Sequence, residues 1–175
     1  MEFKEIFPTI LGIKQLNYIP DSYIDDCIKY IQNQQKRYIT PGDSLTMDLQ
    51  LLDNPFFSPL RREIIKYSLI YAEKLGITVE NLQISNSWGY LVNKGNIPEN
   101  IHSHTNSLLS GVIYLSPGSP INFHSNFYQD LYFTTLPTTD EQFDQYNLQV
   151  PSKLKQLILF PSHLDHSVSS HNSDN

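Results

Sequence analysis

The hydrophobic period of this chain changes once, near Leu82, and that change limits what the chain can fold into. Upstream, apolar residues recur at helical spacing. Ile24, Cys27, Ile28 and Ile31 form one stripe in a helix that Asp21 or Ser22 can cap and that runs to about Gln35. Leu60, Ile64, Tyr67, Tyr71 and Leu75 form another in a helix opened by Ser58 and Pro59 and stopped by Gly76. Downstream the period is two: Leu82, Ile84, Asn86, Trp88, Tyr90 and Val92 alternate with more polar neighbours, the pattern of a strand with two unlike faces. Residues 108–115, 121–123, 131–134 and 157–160 read as further strands, residues 3–16 as an extended first strand, residues 40–44 as a polar loop and residues 138–149 as a surface excursion. Two helices followed by several short strands imply an α+β fold. The expected architecture is a double-stranded β-helix, a cupin-like jelly roll, with the N-terminal helices packed on one sheet.

Residues 1–175 are read as one domain, with 1–80 helix-rich and 81–175 β-rich, a length sufficient to bury a core. Charged residues make up 17% and aromatics 12%, with 11 Tyr and 9 Phe, which suits an aromatic-lined β interior. A net charge of -6 supplies no electrostatic footprint for nucleic acid, which is disfavoured as a substrate, or for an anionic membrane. Cys27 stands alone, so no disulfide framework exists; it is expected to be a small buried side chain in a cytoplasmic protein. No basic start followed by an apolar run and no membrane-spanning stretch is present.

Three histidines carry the chemistry. His102 and His104 are two residues apart, so on extended backbone they project from one face; His166 follows the apolar run at 157–160. Imidazoles so placed can converge on one first-row transition metal with positions left open. Asp165 is the nearest carboxylate in sequence to a candidate ligand, but as the neighbour of His166 on extended chain it is expected to point away, so His104 is the expected third ligand; contact with substrate or with a ligand from outside the metal's shell is its alternative role, and a carboxylate as third ligand stays open. His163 and His171 are expected to be exposed, His124 is open, and Trp88 is expected to pack.

Trp88, Lys94-Gly95, the His102-Ser-His104 pair, Asn106-Ser107, the block Ser110-Gly-Val-Ile-Tyr-Leu115 and the block Leu159-Phe-Pro-Ser-His-Leu-Asp-His-Ser-Val168, with Phe7-Pro8-Thr9 near the start, resemble a family of short phage and bacterial proteins. These are 2-oxoglutarate and iron(II)-dependent oxygenases related to the prolyl hydroxylases. The resemblance implies iron(II), 2-oxoglutarate as co-substrate and O2, hydroxylation of an acceptor that the sequence does not name, and formation of succinate. It implies His102 and His166 as metal ligands, with His104 standing where many relatives in the wider superfamily carry Asp. It places Tyr114, and more weakly Tyr90, at the 2-oxoglutarate pocket. A homodimer stays open, and a phage-encoded protein would work in the host cytoplasm.

One departure from the resemblance matters. The arginine that grips the far carboxylate of 2-oxoglutarate normally follows the distal histidine, because a guanidinium fork matches a carboxylate. Residues 167–175 contain no Arg or Lys, and the family's closing strand is missing, so the sequence is expected to be truncated. Arg61, Arg62 or Lys94 could compensate. The alternative readings are a non-catalytic metal-binding domain and a cupin-like dioxygenase that uses three histidines without 2-oxoglutarate.

Overall fold

The computed structural model describes residues 9–40, 43–92, 100–124 and 147–169. The expected strand at 131–134, Lys94-Gly95, His171, residues 3–8 of the expected first strand and residues 138–146 of the excursion lie outside these residues. Among the described residues the chain is mixed helix and sheet: two α-helices and three small sheets of three strands each, all paired antiparallel.

The helices follow their apolar stripes. Helix α1 (Asp21–Asn33) buries Ile24, Cys27 and Ile31, and the thiol lies wholly inside. Neither Asp21 nor Ser22 caps it: the N-cap is Pro20, with no side-chain hydrogen bond, while the Asp21 carboxylate pairs with Lys155. An acidic residue in the first turn still complements the positive end of the helix dipole. Helix α2 (Ser58–Lys74) ends as its glycine dictates. Gly76 has a φ of 75°, and the amides of Gly76 and Ile77 donate to Glu73 O and Ala72 O, both at 2.9 Å. The left-handed residue thus satisfies carbonyls that the helix end would otherwise leave open.

Strand β1 (Gly12–Gln15), β8 (Gln156–Pro161) and β5 (Leu109–Ile113) form one sheet in the order β1-β8-β5. Its central strand explains the unbroken apolar run at 157–160. Leu157 and Leu159 pack with Ile24, Phe57, Leu60 and Tyr71 of the helical layer, whereas Ile158 and Phe160 pack with Ile121, Phe123 and Val150. A strand buried on both faces needs no polar alternation. The second group comes from β6 (Ile121–His124) and β7 (Asn147–Val150), which join β9 (His166–Val168) in a sheet ordered β7-β6-β9. Helices, the β8 sheet and the β6 sheet are therefore successive layers.

The third sheet was not foreseen. Residues 40–44 were expected to be a loop, yet β2 (Lys36–Thr40) and β3 (Asp43–Thr46) pair as a hairpin, and β3 pairs onward with β4 (Tyr90–Val92). The expected long strand from Leu82 shrinks to β4. Ser87 replaces ladder pairing with contacts to the 49–52 turn: its amide donates to Leu49 O (2.8 Å), its carbonyl accepts from Leu51 N (3.0 Å) and its hydroxyl accepts from Leu52 N (2.9 Å). Drawing Ser87 inward turns Trp88 outward, 41% exposed, and reverses the facing of the alternation. At the other end of the chain, residues 147–149 are strand and not excursion, and exposed. No helix among the described residues is long and apolar enough to cross a membrane.

Candidate metal centre

The path of the backbone brings the histidines together. After β8 a tight turn, closed by Leu164 N donating to Pro161 O (3.0 Å), delivers His166 to the start of β9, opposite Phe123 of β6. His102 approaches from the other side. Its amide donates to His166 O at 3.0 Å, and the His166 amide donates to His102 O at 2.9 Å. Two residues that exchange both bonds are a directly opposed antiparallel pair, with side chains on the same face. The His104 amide donates to Ser162 O (2.9 Å), so the 102–104 strap is tied to the 162–166 turn at both ends. His102 and His104 do not belong to a regular strand; an isolated bridge and extended backbone give them the common face that the spacing implied. Asn106 then turns the chain into β5 at a φ of 61°, a conformation asparagine tolerates. Ser162, fully buried, locks that turn through its hydroxyl to Ser107 (2.7 Å) and Ser110 (2.8 Å).

One ring nitrogen from each of His102, His104 and His166 lies within 4.8 Å of the others. Ring centroids are 4.4 Å apart for His102 and His166, 5.0 Å for His104 and His166, and 5.3 Å for His102 and His104. Bonds of about 2.0–2.1 Å to a metal would draw the nitrogens closer than this, a movement within reach of side-chain rotation. Two tautomers are fixed by backbone. His166 Nδ1 lies 2.8 Å from Leu164 O and His102 Nδ1 lies 3.0 Å from Asn100 O. A carbonyl can only accept, so in each ring Nδ1 carries the proton and Nε2 keeps its lone pair for a metal.

The electrostatics favour the neutral form of His166 and His104. Burial, opposed by the hydrogen bond to Leu164 and reinforced by the neighbouring imidazoles, depresses the His166 pKa to about 4. Burial followed by the proximity of His102 lowers that of His104 as well. Phe160 stands edge-on to His166 at 4.8 Å between centroids, and Trp88 stands edge-on to His104 at 6.0 Å. Three imidazole nitrogens suit iron(II) and its neighbours in the first row. Among the described residues the cluster includes no carboxylate. Asp165 is half-buried outside it, its carbonyl accepting from the His124 amide at 2.8 Å.

An open cleft of about 1280 Å³ is lined by all three histidines together with Trp88, Tyr90 and Tyr114. Tyr114 packs against the Ile158 and Phe160 side of the core, and burial raises its hydroxyl pKa to about 12, so it is a neutral donor at any physiological pH. Tyr90 is half-buried and its hydroxyl donates to the buried Asp43 carboxylate at 3.0 Å. Neither Arg61 nor Arg62 lines the cleft. Arg61 pairs with Asp53, Arg62 is exposed, and no Lys or Arg is among the described residues lining the cleft. Lys94 lies outside the described residues. His163 is exposed; His124 sits between Asn147 Oδ1 (2.7 Å) and Ser167 Oγ (2.8 Å). Trp88, expected to pack, instead stands half in solvent beside His104 and lines the cleft. The Ser107, Ser110 and Ser162 cluster was visible in sequence only as motif letters, with nothing to say that the three hydroxyls meet.

With this geometry the comparisons agree. Residues 86–175, the part that holds all three histidines, match the family described as "Putative 2OG-Fe(II) oxygenase", and the chain belongs to that family. No curated protein matches the chain.

Proposed function

We propose that the protein is an iron(II) and 2-oxoglutarate-dependent dioxygenase that hydroxylates an acceptor carbon, with His102, His104 and His166 as metal ligands. The observation that carries this is the opposed His102 and His166 pair with a third imidazole beside it, inside the region that matches the oxygenase family. Iron(II), 2-oxoglutarate and O2 would together supply oxygen insertion into a C–H bond, giving the hydroxylated acceptor, succinate and CO2. The protein's own part is orientation and exclusion of water. Backbone carbonyls hold the His102 and His166 rings in the ligating tautomer, Phe160 and Phe123 shield His166, and Tyr114 and Tyr90 would border the co-substrate. The layered sheets β1-β8-β5 and β7-β6-β9, with the helices on one side, support a jelly-roll reading of the fold.

A second reading has its own support. Three imidazoles without a carboxylate, and a cleft whose described lining carries no cation, also suit a three-histidine dioxygenase that does not use 2-oxoglutarate. Protein reconstituted with iron(II) and given 2-oxoglutarate in air should release succinate even without an acceptor, and His166→Ala should not. Tight iron binding with no succinate formed would favour the second reading.

A further inference from the structure

Charged residues make up 17% of the chain, yet a cleft of about 1280 Å³ has no Asp, Glu, Lys or Arg among the described residues that line it. Away from the histidines, an ion entering there would shed water and meet no opposite charge, a cost these walls do not offset. What they offer instead is neutral: exposed Asn86, Ser103, Thr105 and Asn106 supply hydrogen-bonding groups. The volume exceeds the roughly 300–1,000 Å³ of an ordinary small-molecule pocket, which leaves room for an acceptor beside a co-substrate.

Two large apolar side chains stand open on the same walls, Trp88 at 41% exposure and Leu108 at 49%. Both are held by backbone. The Leu108 carbonyl accepts from the Ser162 amide at 3.2 Å, and Ser87, next to Trp88, is bound to residues 49–52 by three hydrogen bonds. The Trp88 ring centroid lies 6.0 Å from that of His104, with 61° between the planes. Aromatic rings pair at centroid separations of about 4.5–7 Å, so a ring stacked on this indole would be brought to the side of the histidines.

We propose that Trp88 sets the specificity of the site by stacking an uncharged aromatic ring of the acceptor, a small neutral molecule, beside the histidines. The oxygenase reading is needed for what happens to that molecule and not for its binding. The walls reject charged analogues because they hold no partner for the charge, and the indole favours a flat ring over a flexible chain.

Fluorine NMR titration of the metal-free full chain tests this with para-fluorobenzamide, para-fluorobenzoate and para-fluorobenzylamine, which share one ring and at neutral pH are uncharged, anionic and cationic. The amide should bind, and the two ions should bind more weakly by about tenfold or more. Trp88→Leu should weaken the amide roughly two- to tenfold, while Trp88→Phe, which keeps a ring, should retain most of the affinity. No binding of the amide, equal affinity for the three probes, or a Trp88→Leu variant that binds as the unsubstituted chain does would overturn the proposal. Manganese(II) bound to the chain should broaden the fluorine line of the bound amide, and zinc(II) should not; bound manganese(II) without broadening would place the ring away from the histidines and overturn the assignment. If iron-loaded protein formed no succinate, the co-substrate reading would fall, and the amide titration would still decide the ring site.

Discussion

At the scale of single residues, His104 separates this centre from one completed by a carboxylate. It is tied to Ser162 by its backbone, its ring centroid lies 5.0 Å from that of His166, and burial lowers its pKa. His104→Ala should weaken metal binding, whereas His104→Asp should retain it, because a carboxylate oxygen is an adequate ligand for the same ion. Asp165→Asn should change affinity little. The reverse pattern in metal titrations, loss with Asp165→Asn and none with His104→Ala, would move the third ligand to the carboxylate. His166 makes a second prediction, through pH. Its folded pKa of about 4 lies below the ordinary imidazole value of 6.5, so as pH falls the unfolded chain binds the proton first. The contribution is fully present above about pH 6.5 and is lost progressively as pH falls towards 4. Metal-free protein should accordingly lose stability to urea across that window, and a His166→Phe variant should lose less; parallel profiles would show that the ring is not held neutral by burial. These residues were legible in sequence because a His-x-His pair needs only extended backbone to share a face. Trp88 was not. Its outward turn depends on Ser87 bonding to residues 49–52, a contact nearly forty positions away along the chain.

At the scale of elements, the same contrast holds. Helices α1 and α2 and strands β5 and β8 declared themselves by long apolar patterns, since local period and burial agree along each of them. The β2 and β3 hairpin did not, because Lys36–Thr40 and Asp43–Thr46 are mixed in polarity and gain their structure from each other and from β4. Gly89 shows how tightly that sheet meets α1. A Cβ there would stand 2.5 Å from Ile31 Cγ2 and 3.1 Å from Thr46 Cγ2. Gly89→Ala should cost about 1–3 kcal/mol by overpacking, measured as a lower urea midpoint. Gly118→Ala, with nothing within 4 Å of the new Cβ, should be close to neutral. Equal effects at the two positions would contradict the packing described. On β8, Leu159→Ala should cost about 2–5 kcal/mol, because the side chain faces the helical core.

At the scale of the whole molecule, the centre joins parts of the chain that are far apart in sequence. The 102–104 strap and the 162–166 turn are linked by backbone bonds, and the β6 sheet holds His166 from behind. A metal bridging them would bind the folded chain and not the unfolded one, so it should also stabilise the fold. At a free metal concentration of 100 times Kd the gain is about 2.7 kcal/mol, visible as a rise in Tm that the three single alanine variants would lack. The central claim, that the three imidazoles form one metal centre, is tested most directly by anaerobic equilibrium titration with iron(II), or with cobalt(II) as a surrogate. Unsubstituted protein should take up one metal per chain, and His102→Ala and His166→Ala should each abolish that uptake while remaining folded by circular dichroism. Equal uptake by the unsubstituted protein and both variants would contradict the account.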